Sequence, residues 1–165
     1  MNIIHLHLLL THLPVLGILF GLSLLLYAVI RKKEEVKKVA YMIFVLSALI
    51  TIPTFFTGEN SEEKVEDLPG VSEIILEEHE DTAKAAAILT YLLGALALFG
   101  LLGKCSEKRK TTMMAGILTL AFVTELIMAK TANLGGQIRH SEIRNTATNQ
   151  DTGDQENSEE EKEEH

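Results

Sequence analysis

The chain of 165 residues allows one compact domain plus a tail, and its 47% hydrophobic fraction is ordinary for a soluble protein. The net charge of −8 is a poor guide to partners, because acidic and basic residues are segregated along the chain. The sequence contains no nucleophile–base pair, phosphate-binding loop or soluble catalytic domain, which argues against a stand-alone hydrolase or transferase. We expect no nucleic-acid partner.

Apolar residues are concentrated in four long runs, each close to the length of about 20 helical residues that crosses a hydrocarbon core. A soluble bundle would show a polar face on each helix, yet segments 22–30 and 85–102 carry no charge on any face. The sequence therefore predicts an all-α fold, an integral membrane four-helix up-down bundle in a lipid bilayer. The runs are residues 3–30, 39–56, 83–102 and 111–132.

The distribution of charge predicts the orientation of this bundle. Nine of the 15 Lys and Arg residues lie in the two short loops, whereas the middle loop holds ten acids and one base, Lys64. Short loops rich in Lys and Arg stay in the cytoplasm, so we expect both termini outside, in a bacterial inner membrane. Residues 1–30 contain no Lys or Arg, which is typical of an uncleaved anchor. The nine are Arg31, Lys32, Lys33, Lys37, Lys38, Lys104, Lys108, Arg109 and Lys110.

The ends of the later helices are also predictable. Ser72 is placed to cap a third helix that begins above the membrane. The fourth helix is expected to end near Asn133, because Gly135-Gly136 should break it. Residues 1–144 then form the transmembrane domain, and residues 145–165 form a disordered acidic tail that has no apolar face to bury.

Five of the six histidines are expected at the outer end of the bundle: His5, His7 and His12 on the first helix, His79 on the third, and His140 beyond the Gly-Gly pair. At a rise of about 1.5 Å per residue, His7 and His79 both lie about 36–38 Å above the basic edge, and His12 about 7–8 Å deeper. Imidazole is the commonest metal and haem ligand near neutral pH. This grouping predicts a redox or metal site near the outer surface.

Two chemistries compete for this site. Haem b can be held by two histidines from different helices of such a bundle, and we expect His79 to pair with His7, or with His12 if the first helix tilts. A Zn, Cu or Fe site would combine histidines with Glu77, Glu78 or Glu80. Solvated interfacial histidines that bind nothing are the third interpretation. The candidate cofactor or metal ligands are His7, His12, His79 and His140.

Glu125 is predicted to lie inside the membrane, about 10–12 Å below the outer boundary by the same count. An ionisable group at that depth is costly and is often functional. Glu125 is therefore a proton-linked candidate, with His12 about four residues above it on a path to the outer face. A neutral Glu125 bonded to a neighbouring helix is the alternative.

Residues 7–14, His-Leu-Leu-Leu-Thr-His-Leu-Pro, resemble the opening signature of the domain-of-unknown-function 2231 family. These bacterial four-helix membrane proteins begin with His-Pro, three residues and His-Phe-Pro. A Thr57-Gly58 pair ending the second helix, His79 opening the third and Gly135-Gly136 after the fourth are also similar to that family. The resemblance covers residues 5–143.

Two departures accompany the resemblance. Leu8 stands where the family has its first proline, and Asn133 stands where the family has a histidine before Leu-Gly-Gly; His140 is positioned to replace that imidazole. The resemblance implies a redox membrane partner of cytochrome c or Rieske type, with haem b as the cofactor.

The sequence supports three functional hypotheses. The first is a small b-type cytochrome-like membrane subunit that carries electrons near the outer face. The second is a non-enzymatic accessory subunit of a respiratory or transport complex, in which the histidines are interfacial packing. The third is a metal-handling membrane protein.

Overall fold

The computed structural model describes residues 3–66, 71–103 and 106–139 of the chain. Throughout these ranges the fold is helical and contains no strand, which confirms the predicted all-α four-helix architecture. The helices run alternately up and down, so α1 and α3 begin at the end of the bundle where α2 and α4 finish. They are α1 (Ile3–Arg31), α2 (Glu34–Glu66), α3 (Glu73–Leu102) and α4 (Glu107–Arg139).

The outer surface of the bundle is apolar. Each of the four helices contains a stretch that is long and apolar enough to cross a membrane. Large side chains such as Leu16, Phe20 and Phe56 are about 60% exposed, at 58%, 60% and 60%. A soluble protein rarely exposes apolar surface on this scale, and helices satisfy their backbone hydrogen bonds internally, as lipid requires. These features indicate a multi-pass membrane protein.

Small residues bring the helices into close contact inside the bundle. Gly21 of α1 lies against the ring of Phe44 on α2, and Gly94 of α3 lies against the Cβ of Ala48 on α2. The ring of Phe44 is fully buried, and the Cβ of Ala48 is attached to the backbone and cannot rotate away. Neither Gly21 nor Gly94 therefore has room for a side chain. Close approach at small residues is the packing mode on which membrane helices rely, because lipid provides no hydrophobic force between them.

The turn between α1 and α2 is very short. Lys32 adopts a left-handed conformation with φ 53°, and the amide of Lys33 donates to the carbonyl of Ala28 at 3.0 Å. This bond satisfies one of the carbonyls left free at the end of α1. The tight turn fixes α1 and α2 as an antiparallel hairpin.

Two predicted helix ends are wrong. We expected α4 to end near Asn133 at the Gly135-Gly136 pair, but the helix continues to Arg139. Likewise α2 does not end at Thr57-Gly58; it continues to Glu66. A helical glycine costs only about 1 kcal/mol relative to alanine, and Gly58 and Gly135 each pack against a histidine ring, so tertiary contact outweighs the propensity. Ser72 does precede α3 but makes no side-chain capping bond.

The four helices form a ring in chain order. Extensive contacts join α1 to α2, α2 to α3 and α3 to α4, whereas the contacts that close the ring between α1 and α4 are much sparser. Helices α1 and α3 are therefore diagonally opposed. Side chains that point inward from α1 and α3 face each other across the interior of the bundle.

Candidate imidazole site

His7 is held in a seat made by α2. Its Nδ1 lies 3.0 Å from the carbonyl oxygen of Thr54 and 3.4 Å from Oγ1 of Thr57. A methyl group placed on Gly58 would lie 2.9 Å from Cε1 of the His7 ring, which is closer than real atoms approach. We call His7, Thr54 and Gly58 the first imidazole seat.

His79 is held in a second seat made by α4. Its Nδ1 lies 2.9 Å from the carbonyl oxygen of Thr131. A methyl group on Gly135 would lie 3.1 Å from Cε1 of the His79 ring. His79, Thr131 and Gly135 form the second imidazole seat, and both rings are partly buried.

The backbone carbonyls determine the protonation of the two rings. A carbonyl oxygen can only accept a hydrogen bond, so Nδ1 of His7 and of His79 must carry the proton. The neutral ring then has its lone pair on Nε2. Metal-bound histidines use this arrangement, in which a second hydrogen bond fixes the tautomer and orients the ring. The two seats therefore fit a group that is bound through Nε2.

The two seated rings belong to one region of the bundle. His7 comes from α1 and His79 from the diagonally opposed α3, at the same end. Each ring is bonded through Nδ1 to the neighbouring helix, His7 to α2 and His79 to α4. Of the histidines singled out in the sequence, these are the two that bond to a neighbouring helix at this end of the described structure.

The other histidines on α1 lie apart from this pair. His5 and His12 are both exposed. Nδ1 of His12 bonds to the carbonyl of Leu8 at 2.7 Å, within its own helix. His140 lies outside the described residues, and helix α4, expected to break before it, is still helical at Arg139.

The acidic candidates do not add a third ligand to the pair. Glu78 forms an ion pair with Lys130 of α4 at 2.9 Å, and Glu80 forms one with Lys84 at 2.5 Å. Glu77 is exposed. Within residues 3–66, 71–103 and 106–139, no group of three or more His, Cys, Asp or Glu side chains is arranged to hold a metal ion.

Glu125 lies in the middle of α4 and is partly buried. Its Oε2 is shielded from solvent and has no hydrogen-bond partner. Nδ1 of His12 bonds to the carbonyl of Leu8 within its own helix, and the link between His12 and Glu125 stays a prediction. Oε2 of Glu125 is therefore a polar atom with unused hydrogen-bonding capacity, and the proton-linked role of Glu125 stays a prediction.

Sequence reasoning missed the residues that make the seats. The Thr54 and Thr131 carbonyls are main-chain groups, so residue type alone gives no sign of them. One signal was present: each threonine is followed four residues later by a glycine, at Gly58 and Gly135. Both glycines were interpreted as helix breakers, whereas each makes room for an imidazole.

Comparison with known proteins adds no assignment. No family model matches the chain, and neither a curated protein nor a solved structure matches it.

Proposed function

We propose that the protein is a small membrane redox subunit of b-type cytochrome character, which holds haem b between His7 and His79. The observation that carries the proposal is the pair of Nδ1–carbonyl bonds, since they leave Nε2 of both rings available as a ligand. When bound, haem would supply one-electron transfer. The protein residues would bind and orient it from diagonally opposed helices, as four-helix bundles commonly do.

The number of converging ligands favours haem over a tetrahedral metal ion. His7 and His79 would hold the iron of a haem group, which takes fewer protein ligands than a zinc ion does. Structural zinc takes four protein ligands and catalytic zinc three, and the described residues contain no such group. The resemblance to the domain-of-unknown-function 2231 family, proposed on the order of residues 7–14, is consistent with this choice.

The setting of the site follows from the charge distribution. We place the end of the bundle that carries His7 and His79 outside a bacterial inner membrane, and the basic loops in the cytoplasm, as the positive-inside rule requires. An external haem of this kind would exchange electrons with a cytochrome c or Rieske-type partner at that surface. The orientation, the membrane and the partner are parts of this proposal.

The test is the absorption spectrum of detergent-purified protein made with ample haem, recorded oxidised and after dithionite reduction. We expect a Soret band in the wild type, its loss in His79→Ala, and its retention in His12→Ala. His12 is the matched control, since it is a histidine at the same end that is exposed and bonded within its own helix. A wild type without a Soret band refutes the proposal.

An accessory subunit is the second candidate, and one observation favours it. Both seated rings already join two helices through hydrogen bonds, α1 to α2 and α3 to α4. This contact is useful for packing even without a cofactor. Under this alternative His79→Ala lowers the melting temperature while the wild type binds neither haem nor a stoichiometric metal; stoichiometric metal without haem would indicate metal handling.

A further inference from the structure

The two imidazole seats repeat one another. In each seat a histidine near the start of one helix meets a threonine carbonyl on the next helix and a glycine four residues beyond that threonine. The threonine hydroxyls are also used alike: Thr54 donates to Ile50 and Thr131 donates to Ile127, each four residues earlier. A shared histidine alone would be weak evidence, but three residue types in the same spatial relation form a pattern.

The two halves of the chain can be aligned by one shift for the first helix of each half and a second shift for the second helix. His79 is 72 positions after His7, while Thr131 and Gly135 are each 77 positions after Thr54 and Gly58. The two shifts differ by five, so the second half has five more residues between its histidine and its threonine than the first. Helices α1 and α2 thus correspond to α3 and α4.

Burial follows the same register. In nine pairs of corresponding residues, both members are buried. A helix repeats its buried face every three or four residues, so burial alone would also allow alignments shifted by that amount. The seats remove that ambiguity because they define one register. The pairs are Pro14 and Ala86, Ile18 and Thr90, Gly21 and Leu93, Leu25 and Ala97, Ala40 and Ile117, Phe44 and Ala121, Ser47 and Thr124, Thr51 and Met128, and Ser61 and Ile138.

At one corresponding position in the two halves, the large and the small side chain have changed places between the two helices. In the first half Gly21 packs against Phe44, a small residue beside a large one. In the second half the corresponding residues are Leu93 and Ala121, where the large residue has moved to the other helix. Compensation of this kind keeps the packed volume of a layer while its residues change.

We infer that the chain is a duplicated helical hairpin and that His7 and His79 are equivalent members of one site. This inference rests on the proposed function only for the identity of the ligand. Two equivalent imidazoles, one from each hairpin, would hold the iron of one haem group. Gly58 and Gly135 are positioning residues, since each makes room for a ring without contacting the ligand.

The repeat is broken where α1 meets α4. In the α2–α3 contact Gly94 lies against Ala48; the corresponding positions on α1 and α4 hold Leu22 and Glu125. Two larger side chains replace two small ones, which accounts for the sparser packing there. This departure leaves the two seats unchanged.

Paired substitutions test the equivalence. We expect Gly58→Ala and Gly135→Ala to weaken haem binding to a similar extent, about 10- to 100-fold, as loss of a ligand-orienting contact does. Gly136→Ala is the matched control, because a methyl group there would meet nothing within 4 Å. His7→Gly and His79→Gly should give the same spectrum, and added imidazole should restore the wild-type spectrum in both. A Soret band that survives one histidine replacement and not the other overturns the equivalence while haem binding stands.

A second measurement does not need haem. Nitrogen NMR of ¹⁵N-histidine-labelled protein in detergent reports which ring nitrogen carries the proton. We expect the Nδ1-protonated tautomer for His7 and His79 alike, with the His7 signal moved by Gly58→Ala, the His79 signal moved by Gly135→Ala, and neither moved by Gly136→Ala. This result upholds the equivalence even if the wild type binds no haem. Different tautomers for the two rings overturn it.

Discussion

At the scale of single residues, the glycines have unequal roles that the sequence does not distinguish. Gly94 faces a Cβ on the neighbouring helix, Gly58 and Gly135 face imidazoles, and Gly116 and Gly136 face open space. Each of the five is a helical residue. Their roles are set by what the next helix presents, so the cost of adding a side chain should vary from site to site.

Gly94→Ala should be destabilising. Its methyl group would collide with the Cβ of Ala48, which cannot rotate away, and overpacking of this kind costs about 1–3 kcal/mol. Gly116→Ala adds the same atoms in open space and should be neutral or stabilising by up to about 1 kcal/mol, as alanine favours helix. Thermal unfolding in detergent, followed by circular dichroism, measures both. Equal melting temperatures for the two variants would contradict the close α2–α3 contact.

Glu125 is the residue-scale feature with the weakest structural explanation. Its Oε2 has no partner, and a polar group left unbonded away from water costs about 1–3 kcal/mol. Glu125 occupies the position that corresponds to the small residue Ala48 in the first half of the repeat. Nothing in the described contacts requires a carboxyl group there.

At the scale of elements, the α1–α2 turn depends on a strained residue. Lys32 has φ 53°, a conformation that costs a residue with a Cβ about 1–2 kcal/mol. The positive charge of Lys32 offers a reason for its presence, since in the proposed orientation basic residues would hold this loop in the cytoplasm. At position 32 the geometry of the turn therefore favours glycine, whereas the proposed membrane orientation favours a basic residue.

Lys32→Gly should raise the free energy of unfolding by about 1 kcal/mol, because glycine adopts this conformation without steric cost. Lys33→Gly is the control: it removes the same charge from the adjacent position, where φ is negative and only flexibility is gained. Unfolding in detergent should therefore show stabilisation for the first variant and none for the second. Stabilisation by both would attribute the effect to the lost charge.

The ion pair between Glu78 and Lys130 also acts between elements, joining α3 to α4 beside the second imidazole seat. Both side chains are about half exposed, at 50% and 54%. Exposed pairs contribute about 0–1 kcal/mol. We therefore assign the position of His79 to the Thr131 carbonyl and to Gly135, with the ion pair as a minor addition.

At the scale of the whole molecule, orientation in the membrane decides which compartment the imidazole pair faces. Both termini are predicted outside, and this stays a prediction that rests on nine basic residues in two short loops. The single Cys105, between α3 and α4, offers a direct measurement. We expect an impermeant thiol reagent to label it after lysis and not in intact cells. Labelling in intact cells would place the imidazole pair on the cytoplasmic side.

Most of the fold could be predicted from the sequence, because lipid imposes a simple rule. A helix that spans a membrane needs a long uncharged run, and four such runs give four helices and an up-down order. The candidate pair could also be predicted in part: counting residues placed His7 and His79 at one height. The ring of His12 could not be placed, because helix tilt and rotation follow from packing against neighbours.

The sequence by itself determined the helix number, the up-down order and the segregation of charge, since these depend on local composition. Tertiary structure decided which histidines bond to a neighbouring helix, which ring nitrogen makes that bond, and where α2 and α4 end. Those outcomes depend on main-chain carbonyls and glycines of the facing helix. A carbonyl or a glycine affects a histidine ring only where it lies beside that ring, and this placement is fixed only when the helices pack.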